Sequence, residues 1–272
     1  MPVDLHIHTT ASDGSFTPKE VVEIAAASNL RTIAVADHDT VAALEDARRY
    51  GAELGVGIIP AIELSSRYKG KDIHVLGYYV DDKNEKLLAS LERLRAAREE
   101  RAVRIIECLQ GIGVDIDFSN VLEQAKNSSV GRPHIARAMV GSGYVSDFRT
   151  AFTQFLKRGA PCFLEKFVYP LQATIEIIHN AGGLAVFAHP GLAKLDEHID
   201  EFIAFGLDGF EAYHVEHSEQ DTKRYLRLAE KKGLLVTGGS DCHGPVSTHG
   251  QRLGRFLVPD EVVDSLSAAA RR

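Results

Sequence analysis

Short apolar runs that stop abruptly at a His, Asp or Glu recur along this 272-residue chain, and they constrain its fold more than any other feature. The first is Val3 to His8, where apolar and polar residues alternate; as a strand it carries His6 and His8 two residues apart on one face. Two imidazoles facing one way make a metal-ligand arrangement, although an isolated His-x-His pair is about as often two packed side chains. Partners elsewhere in the chain must decide. Thr32 to Ala36 is a nearly continuous apolar run of the kind covered on both faces, and it ends in Asp37-His38-Asp39-Thr40. Gly57 to Ile62 ends in Glu63. Between these runs, Thr17-Pro18-Lys19-Glu20 reads as a helix start feeding Val21, Val22, Ile24 and Ala25, with Asn29 as its end, and a second helix pattern covers Val41 to Leu54.

Ten residues between Glu63 and His74 are too few for a parallel crossover, so a hairpin turning at Tyr68-Lys69-Gly70-Lys71 is expected. Asp72 to Val80 then runs back and puts His74 near Glu63. Glu85 to Gly111 is strongly helical, its Glu and Arg residues reading as a solvated face. Helix patterns follow at Phe118 to Gln124, Pro133 to Val140 and Phe148 to Leu156 without a strand of similar strength, which predicts a helical insertion over 99–166. In it, Gly131-Arg132-Pro133-His134 starts a helix where a guanidinium, an imidazole and free N–H groups could meet a phosphate; an ordinary loop-to-helix junction fits equally well. The strand-helix rhythm resumes with helix Leu171 to Asn180, strand Leu184 to Ala188 ending in His189-Pro190-Gly191, and a helix pattern at Leu195 to Phe205. Strand Gly209 to Tyr213 follows, with His214 and His217 beyond it, then a helix from Ser218 to Lys232, strand Leu234 to Thr237 leading to Gly239-Ser240-Asp241-Cys242-His243, and a closing helix at Asp260 to Ala270.

Seven strands of this kind, most alternating with helices, predict an α/β barrel formed by 1–98 and 167–272, with functional groups gathered at one rim. His6, His8, Asp13, His38, Glu63, His74, His189, Asp241 and His243 make nine metal-competent side chains at strand ends. One divalent ion takes about four to six donors, so nine suit three ions sharing a carboxylate. Cys242, between Asp241 and His243, faces the other way and reads as packing. His179 reads as a helix C-terminal residue and His198 as helix surface; His214, His217 and His249 read as exposed loop histidines, with His217 the best exception. A net charge of −7 argues against a duplex nucleic-acid groove without excluding a phosphorylated substrate, since bound cations reverse the local sign. Neither a signal-peptide pattern nor a membrane-length apolar run is evident, so the expectation is cytoplasmic, and no obligate protein partner is indicated. Cys108, Cys162 and Cys242, odd in number and far apart, fit reduced thiols better than a disulfide framework.

The motifs Asp4-Leu5-His6-Ile7-His8 with Ser12-Asp13-Gly14, Ala36-Asp37-His38-Asp39, Ala188-His189-Pro190-Gly191, and Gly239-Ser240-Asp241-Cys242-His243 resemble, in that order, those of the polymerase-and-histidinol-phosphatase (PHP) family. The likeness covers the chain apart from the insertion and is greatest to stand-alone members acting on nucleoside 3′,5′-bisphosphates or the 5′ ends of short RNA. It implies a distorted (β/α)7 barrel with a trinuclear site for manganese, iron or zinc, with His6, His8, Glu63 and Asp241 on one ion, Glu63, His74 and His189 on a second, and Asp13, His38 and His243 on a third. Position 13 is a histidine in some relatives; aspartate, a harder donor, favours manganese. The expected reaction is phosphate-ester hydrolysis by metal-activated hydroxide, without a covalent enzyme intermediate. The resemblance also implies Arg132, His134 and His217 as phosphate contacts, with a rim histidine protonating the leaving alkoxide and the insertion selecting substrates.

Alternatives are a histidinol-phosphate phosphatase of the same family, an amidohydrolase-type barrel, which amide or lactone turnover would reveal, and a non-catalytic metal-binding module. Asp37-x-Asp39 after a strand also matches haloacid-dehalogenase-like phosphatases, in which an aspartate is phosphorylated, but that reading leaves eight ligands unexplained.

Overall fold

The computed structural model describes residues 2–125, 130–245, 252–256 and 258–271. The barrel sheet contains β1 (Val3–Ile7), β2 (Thr32–Val35), β3 (Gly57–Tyr68), β4 (Lys71–Tyr78), β6 (Leu184–Phe187), β7 (Gly209–His214) and β8 (Leu235–Gly239), in that spatial order; β5 (Tyr169–Pro170) is a two-residue addition beside β3. Pairing is parallel from β1 to β3, antiparallel on both sides of β4, and parallel again from β6 to β8. The sheet almost closes, because Ile7 bridges Cys242 and the His8 N–H donates to the Cys242 carbonyl at 3.0 Å.

The hairpin turns at Lys69-Gly70, so β3 and β4 pair from Ala61↔Tyr78 to Tyr68↔Lys71. A reversed strand puts its beginning, not its end, at the catalytic-side rim, and that is why His74 comes from the first half of β4. Helix α1 (Pro18–Ala27) starts from a reciprocal cap in which the Glu20 N–H donates to Thr17 Oγ1 and the Glu20 carboxylate accepts from the Thr17 N–H. It ends a residue or two before Asn29, which takes the left-handed φ of 56°. Helix α2 (Leu44–Leu54) joins α1 in covering the outer face of β1 and β2, where Ile7, Val21, Val22, Ile33, Val35 and Leu44 are buried together. Val3, Leu5, Ala34, Ala61, Leu76 and Val186 belong to a second apolar cluster, which takes in α11 (Glu261–Ala270) through Val262 and Leu266.

Two compact units result, one of Met1–Ser90 with Val168–Arg272 and the other of Leu91–Phe167. The division therefore falls inside α3 (Glu85–Gly111), a continuous helix that no loop or proline interrupts, and several residues before the expected 99. The second unit has its own core: Ile105 and Leu109 of α3, Val121 of α4 (Phe118–Ala125), Ile135 and Met139 of α5 (Arg132–Gly141), and Leu156 and Cys162. The predicted helix at Phe148 to Leu156 is α6 (Phe148–Ala151) followed by a π-helical turn, Phe152–Leu156. In the barrel, α7 (Leu171–Asn180) precedes β6, and α10 (Glu219–Lys232) is capped by Ser218. The expected helix Leu195 to Phe205 takes the form of a 3-10 turn at Asp196–His198 running into α9 (Ile199–Ala204); ahead of it lies a short α8 (Pro190–Ala193) that the sequence pattern did not indicate, ended by Lys194 at a left-handed φ of 52°.

One expectation is overturned outright. Cys108 and Cys162 form a disulfide, with Cα atoms 5.6 Å apart across 54 residues, and only Cys242 is free. Wide spacing in sequence misled because packing of the second unit brings the end of α3 beside the segment after the π-helical turn. Closing a loop of this length constrains the unfolded chain by about 4 kcal/mol. No helix among the described residues is long and apolar enough to cross a membrane.

Barrel closure depends on Gly239. A Cβ there would lie 2.4 Å from both the Cβ and the backbone nitrogen of His6, neither of which can swing away. Gly239→Ala is expected to destabilise the protein by about 1–3 kcal/mol, lowering the melting midpoint by about 2–4 °C for each kcal/mol; an unchanged midpoint in a thermal melt would count against this role.

Candidate metal centre

His6 and His8 do not sit on a regular strand. Pairing of β1 with β2 slips between Asp4 and Ile7, the kind of irregularity that re-aims side chains beside functional sites. The two Nε2 atoms end 3.1 Å apart. Glu63 Oε2 lies 3.3 Å from each of them, and Asp241 Oδ1 lies 3.5 Å from His6 Nε2 and 3.1 Å from His8 Nε2. A tetrahedron with metal bonds of 2.0–2.2 Å has edges of about 3.4 Å, so these four donors have the mutual spacing of ligands around one cation.

Glu63, on β3 and 1% exposed, is the hub. Its Oε2 also lies 3.0 Å from His38 Nδ1, while Oε1 lies 3.0 Å from His74 Nδ1 and 3.1 Å from His189 Nε2. A third group surrounds Asp13, whose carboxylate is 3.2 Å from His243 Nε2, 3.8 Å from His8 Nδ1 and 4.0 Å from His38 Nε2. All nine side chains singled out in the sequence thus converge. The combinations His6-His8-Glu63-Asp241, His38-Glu63-His74 and His8-Asp13-His38-His243 each bring their donor atoms within 4.8 Å of one another.

The donors fit a cation on a further count. Among the described residues, His8 Nδ1 and His38 Nδ1 are buried and form no hydrogen bond, His38 Nδ1 even though it lies 3.0 Å from Glu63 Oε2; ring nitrogens so placed are costly unless something electropositive completes them. Burial alone would lower the pKa of His6, but Glu211, Glu63 and Asp241 raise it well above the usual imidazole value. His8 is likewise pushed up to about 10, burial being outweighed by its bonds to Asp241 and Glu63. His38 goes the other way, to about 3, because burial dominates. Burial would raise Glu63 and Asp241, yet the surrounding imidazoles hold both carboxyls well below the ordinary range.

The supporting groups explain the strand-end loops. Asp37 accepts from the Thr9 N–H, Thr9 Oγ1 and Ser12 Oγ at 2.7, 2.7 and 2.5 Å and is 1% exposed. It fixes the loop carrying Asp13 and is too enclosed to be a phosphorylated nucleophile, which removes the dehalogenase-like reading. Asp39, at φ 54°, accepts the Ser65 N–H and ties the β2 end to β3. Asp4 accepts the Ser240 N–H beneath the site, and burial raises its pKa to about 6. His189 and Asp241 both hold left-handed backbone, at φ 30° and 49°; such strain concentrates where surrounding structure dictates the conformation. Cys242 packs in the outer cluster as expected.

The remaining expected residues are placed differently. His217 has both ring nitrogens engaged, Nδ1 at 3.0 Å from the Ala212 carbonyl and Nε2 accepting the Gly191 N–H at 3.1 Å, so it ties the turn after His189 to the end of β7. Burial also lowers its pKa. His214, expected in an exposed loop, is the buried last residue of β7 at 2% exposure. His179 lies in the last turn of α7, 2.8 Å from Asp208, and half-buried His198 packs against the Tyr68 ring. His249 falls outside the described residues. In the second unit Arg132 donates to the Leu156 carbonyl at 2.8 Å with its guanidinium over the Phe152 and Phe163 rings, and His134 Nδ1 accepts the Gly131 N–H at 3.0 Å. Sequence reading missed Glu211, fully buried behind His6 and 2.8 Å from its Nδ1. Its one signal was an acid in the middle of an otherwise apolar strand.

Comparison with known proteins agrees with this geometry. Residues 4–236 match the PHP domain model. A 5′-3′ exoribonuclease from Haemophilus influenzae is 34% identical, over 89% of this chain and 90% of the relative. A 3′,5′-nucleoside bisphosphate phosphatase from Chromobacterium violaceum is 33% identical over 89% and 87%, and a phosphoribosyl 1,2-cyclic phosphate 1,2-diphosphodiesterase from Eggerthella lenta 33% over 89% and 94%. Among solved structures, a proposed metal-dependent phosphoesterase from Bifidobacterium adolescentis superposes with a TM-score of 0.85 at 32% identity, covering 98% of this chain and 97% of its own.

Because His8 holds a proton in the metal-free protein until about pH 10, an incoming cation must displace it. Divalent-metal affinity is therefore expected to rise with pH by up to about tenfold per unit for each proton displaced. The sign for metal-free stability is opposite: the contribution of protonated His8 is complete below its ordinary pKa and is lost as pH climbs through about 10. Calorimetric manganese titrations in buffers of different ionisation enthalpy measure the released protons directly, and zero release would contradict the assignment.

Proposed function

The chain belongs to the PHP domain family and is a metal-dependent phosphoesterase, and from that premise we propose that it hydrolyses the phosphate ester of a nucleoside 3′,5′-bisphosphate or of the 5′ end of a short oligoribonucleotide. The observation that carries the reading is Glu63, whose two oxygens each face a different set of imidazoles. A bridging carboxylate of that kind supports more than one ion, and we assign three: one on His6, His8, Glu63 and Asp241, one on Glu63, His74 and His189, and one on Asp13, His38 and His243. Divalent ions so held would supply Lewis acidity toward the phosphoryl oxygens and a water acidic enough to attack phosphorus near neutral pH. Asp13, an oxygen donor beside two imidazoles, favours manganese over zinc at the third position.

The protein's own groups do the remaining work. Buried Glu63 and half-buried Asp241, both ionised, fix the imidazoles and set the charge of the centre before substrate arrives. His38, neutral at physiological pH, offers a lone pair without first losing a proton. In the second unit, Pro133 opens α5 and holds Arg132 and His134 in its first turn, and we assign both to a substrate phosphate. Arg132 is presented with its plane supported by Phe152 and Phe163, an arrangement that limits the entropy lost on gripping an anion. His217, with both nitrogens occupied, keeps the His189 turn in place, so the proton for the departing alkoxide is assigned to solvent at the rim rather than to this ring.

Turnover of manganese-loaded protein should be compared for adenosine 3′,5′-bisphosphate, 5′-phosphorylated dinucleotides, a ribose 1,2-cyclic phosphate and histidinol phosphate. The highest kcat/KM is expected for the bisphosphate or the dinucleotide; preference for histidinol phosphate or the cyclic phosphate would replace the proposed substrate while leaving the phosphoesterase class intact. Arg132→Ala is expected to lower kcat/KM on the preferred substrate by about 10- to 100-fold, the value of a charge-assisted hydrogen bond, without altering metal content by elemental analysis. Unchanged kcat/KM would remove Arg132 from the site.

A further inference from the structure

Strand β7 contributes none of the nine ligands, yet it carries two buried ionisable side chains against them. Glu211 is 0% exposed; its Oε1 lies 2.8 Å from His6 Nδ1, and its Oε2 accepts the backbone N–H of His189 at 2.7 Å. His214 Nδ1 accepts the Glu216 N–H at 3.2 Å, which puts the ring proton on Nε2, 3.5 Å from Asp241 Oδ2 but without a hydrogen bond to it. The two Glu211 contacts are to different candidate ligands.

We propose that Glu211 is a positioning residue that sets two ligands at once, fixing the ring tautomer of His6 through one carboxylate oxygen and the left-handed turn of His189 through the other. This rests on the metal-site reading above and extends it to residues behind the ligands. A backbone N–H can only donate, so the His189 contact requires an acceptor at Oε2. The carboxylate then offers His6 another acceptor, which places that ring's proton on Nδ1 and its lone pair on Nε2. Nε2 is the nitrogen that meets His8, Glu63 and Asp241. The His189 bond matters as well, because a non-glycine residue at φ 30° and ψ 56° needs an external contact to hold it.

His6, Glu211 and His214 also lie close enough to hold an ion among themselves. That use is disfavoured by proton bookkeeping: His6 would have to give both nitrogens to cations, and His214 would have to present a lone pair from the nitrogen that carries its proton. The group therefore acts as a buttress.

Glu211→Gln separates this role from simple packing, since it preserves shape. Its amide oxygen must face the His189 N–H, leaving the NH2 to donate to His6 Nδ1, and that drives the ring proton onto Nε2, into the metal position. Metal-free wild-type and variant proteins would be titrated with Mn2+ and followed by the signal of free manganese. The expected result is about 10- to 100-fold weaker binding in the variant, read at a temperature where circular dichroism shows the metal-free variant folded; its melting temperature is expected to fall, because His6 loses its buried carboxylate partner. Equal affinity overturns the proposal; loss of one whole equivalent with the others unchanged overturns it too, making Glu211 a ligand. Nitrogen-15 spectra of histidine-labelled, zinc-loaded wild type give a check independent of the variant's folding: a protonated Nδ1 on His6 is expected, and ligation through Nδ1 overturns it. Failure of wild type to take up either metal would instead sink the metal-site reading itself.

Discussion

A single buried carboxylate, Glu63, lies within 3.3 Å of nitrogens on five histidines drawn from four strand ends and a loop. Five imidazoles cannot be crowded together as cations, and a lone carboxylate cannot be buried at small cost without counter-charge. Each side of the arrangement makes the other tolerable. Even so, partly protonated imidazoles compensate it incompletely, and among the described residues three buried ring nitrogens, His8 Nδ1, His38 Nδ1 and His214 Nε2, form no hydrogen bond. The folded protein is thus prepared for divalent cations, which replace several protons and satisfy the first two of those nitrogens together. In that sense the centre is a strained electrostatic device whose tension is relieved by its cofactor.

Everything around Glu63 holds that device in register. Asp37 and Asp39, beside His38, are turned away to clamp the β1 loop and β3, and Asp4 ties β8 down below His6. The close approach of β8 to β1 at Gly239 brings Asp241 and His243 to the same mouth as His6 and His8, from the opposite end of the chain. Antiparallel β4 is the one departure from a uniform parallel barrel, and it is what lets a strand only ten residues downstream of Glu63 return a histidine to it.

The candidate metal ligands were legible because their chemistry repeats at strand ends: an apolar run of four or five residues followed at once by His, Asp or Glu is improbable as a surface pattern and meaningful as a rim. The hairpin was legible from arithmetic on chain length. Four things were not. Glu211 lies within a strand rather than after one, and its role depends on which two groups fold against it. His214 follows the same strand and looked like a loop residue, although the strand extends far enough to bury it. The Cys108–Cys162 bond joins residues whose spacing carries no hint of proximity. The engagement of His217 by Ala212 and Gly191 depends on the short α8 turn after His189, which periodicity did not reveal.

The sequence by itself determined which side chains can bind metal, the hairpin that returns His74 to Glu63 and the membership of the family, since periodicity and residue type act locally and were preserved through folding. Only the tertiary structure decided which buried acid and histidine stand behind the candidate ligands, and which cysteines are joined. Those outcomes depend on distances of about 3 Å between atoms far apart in the chain, and no local pattern fixes such distances until the barrel closes.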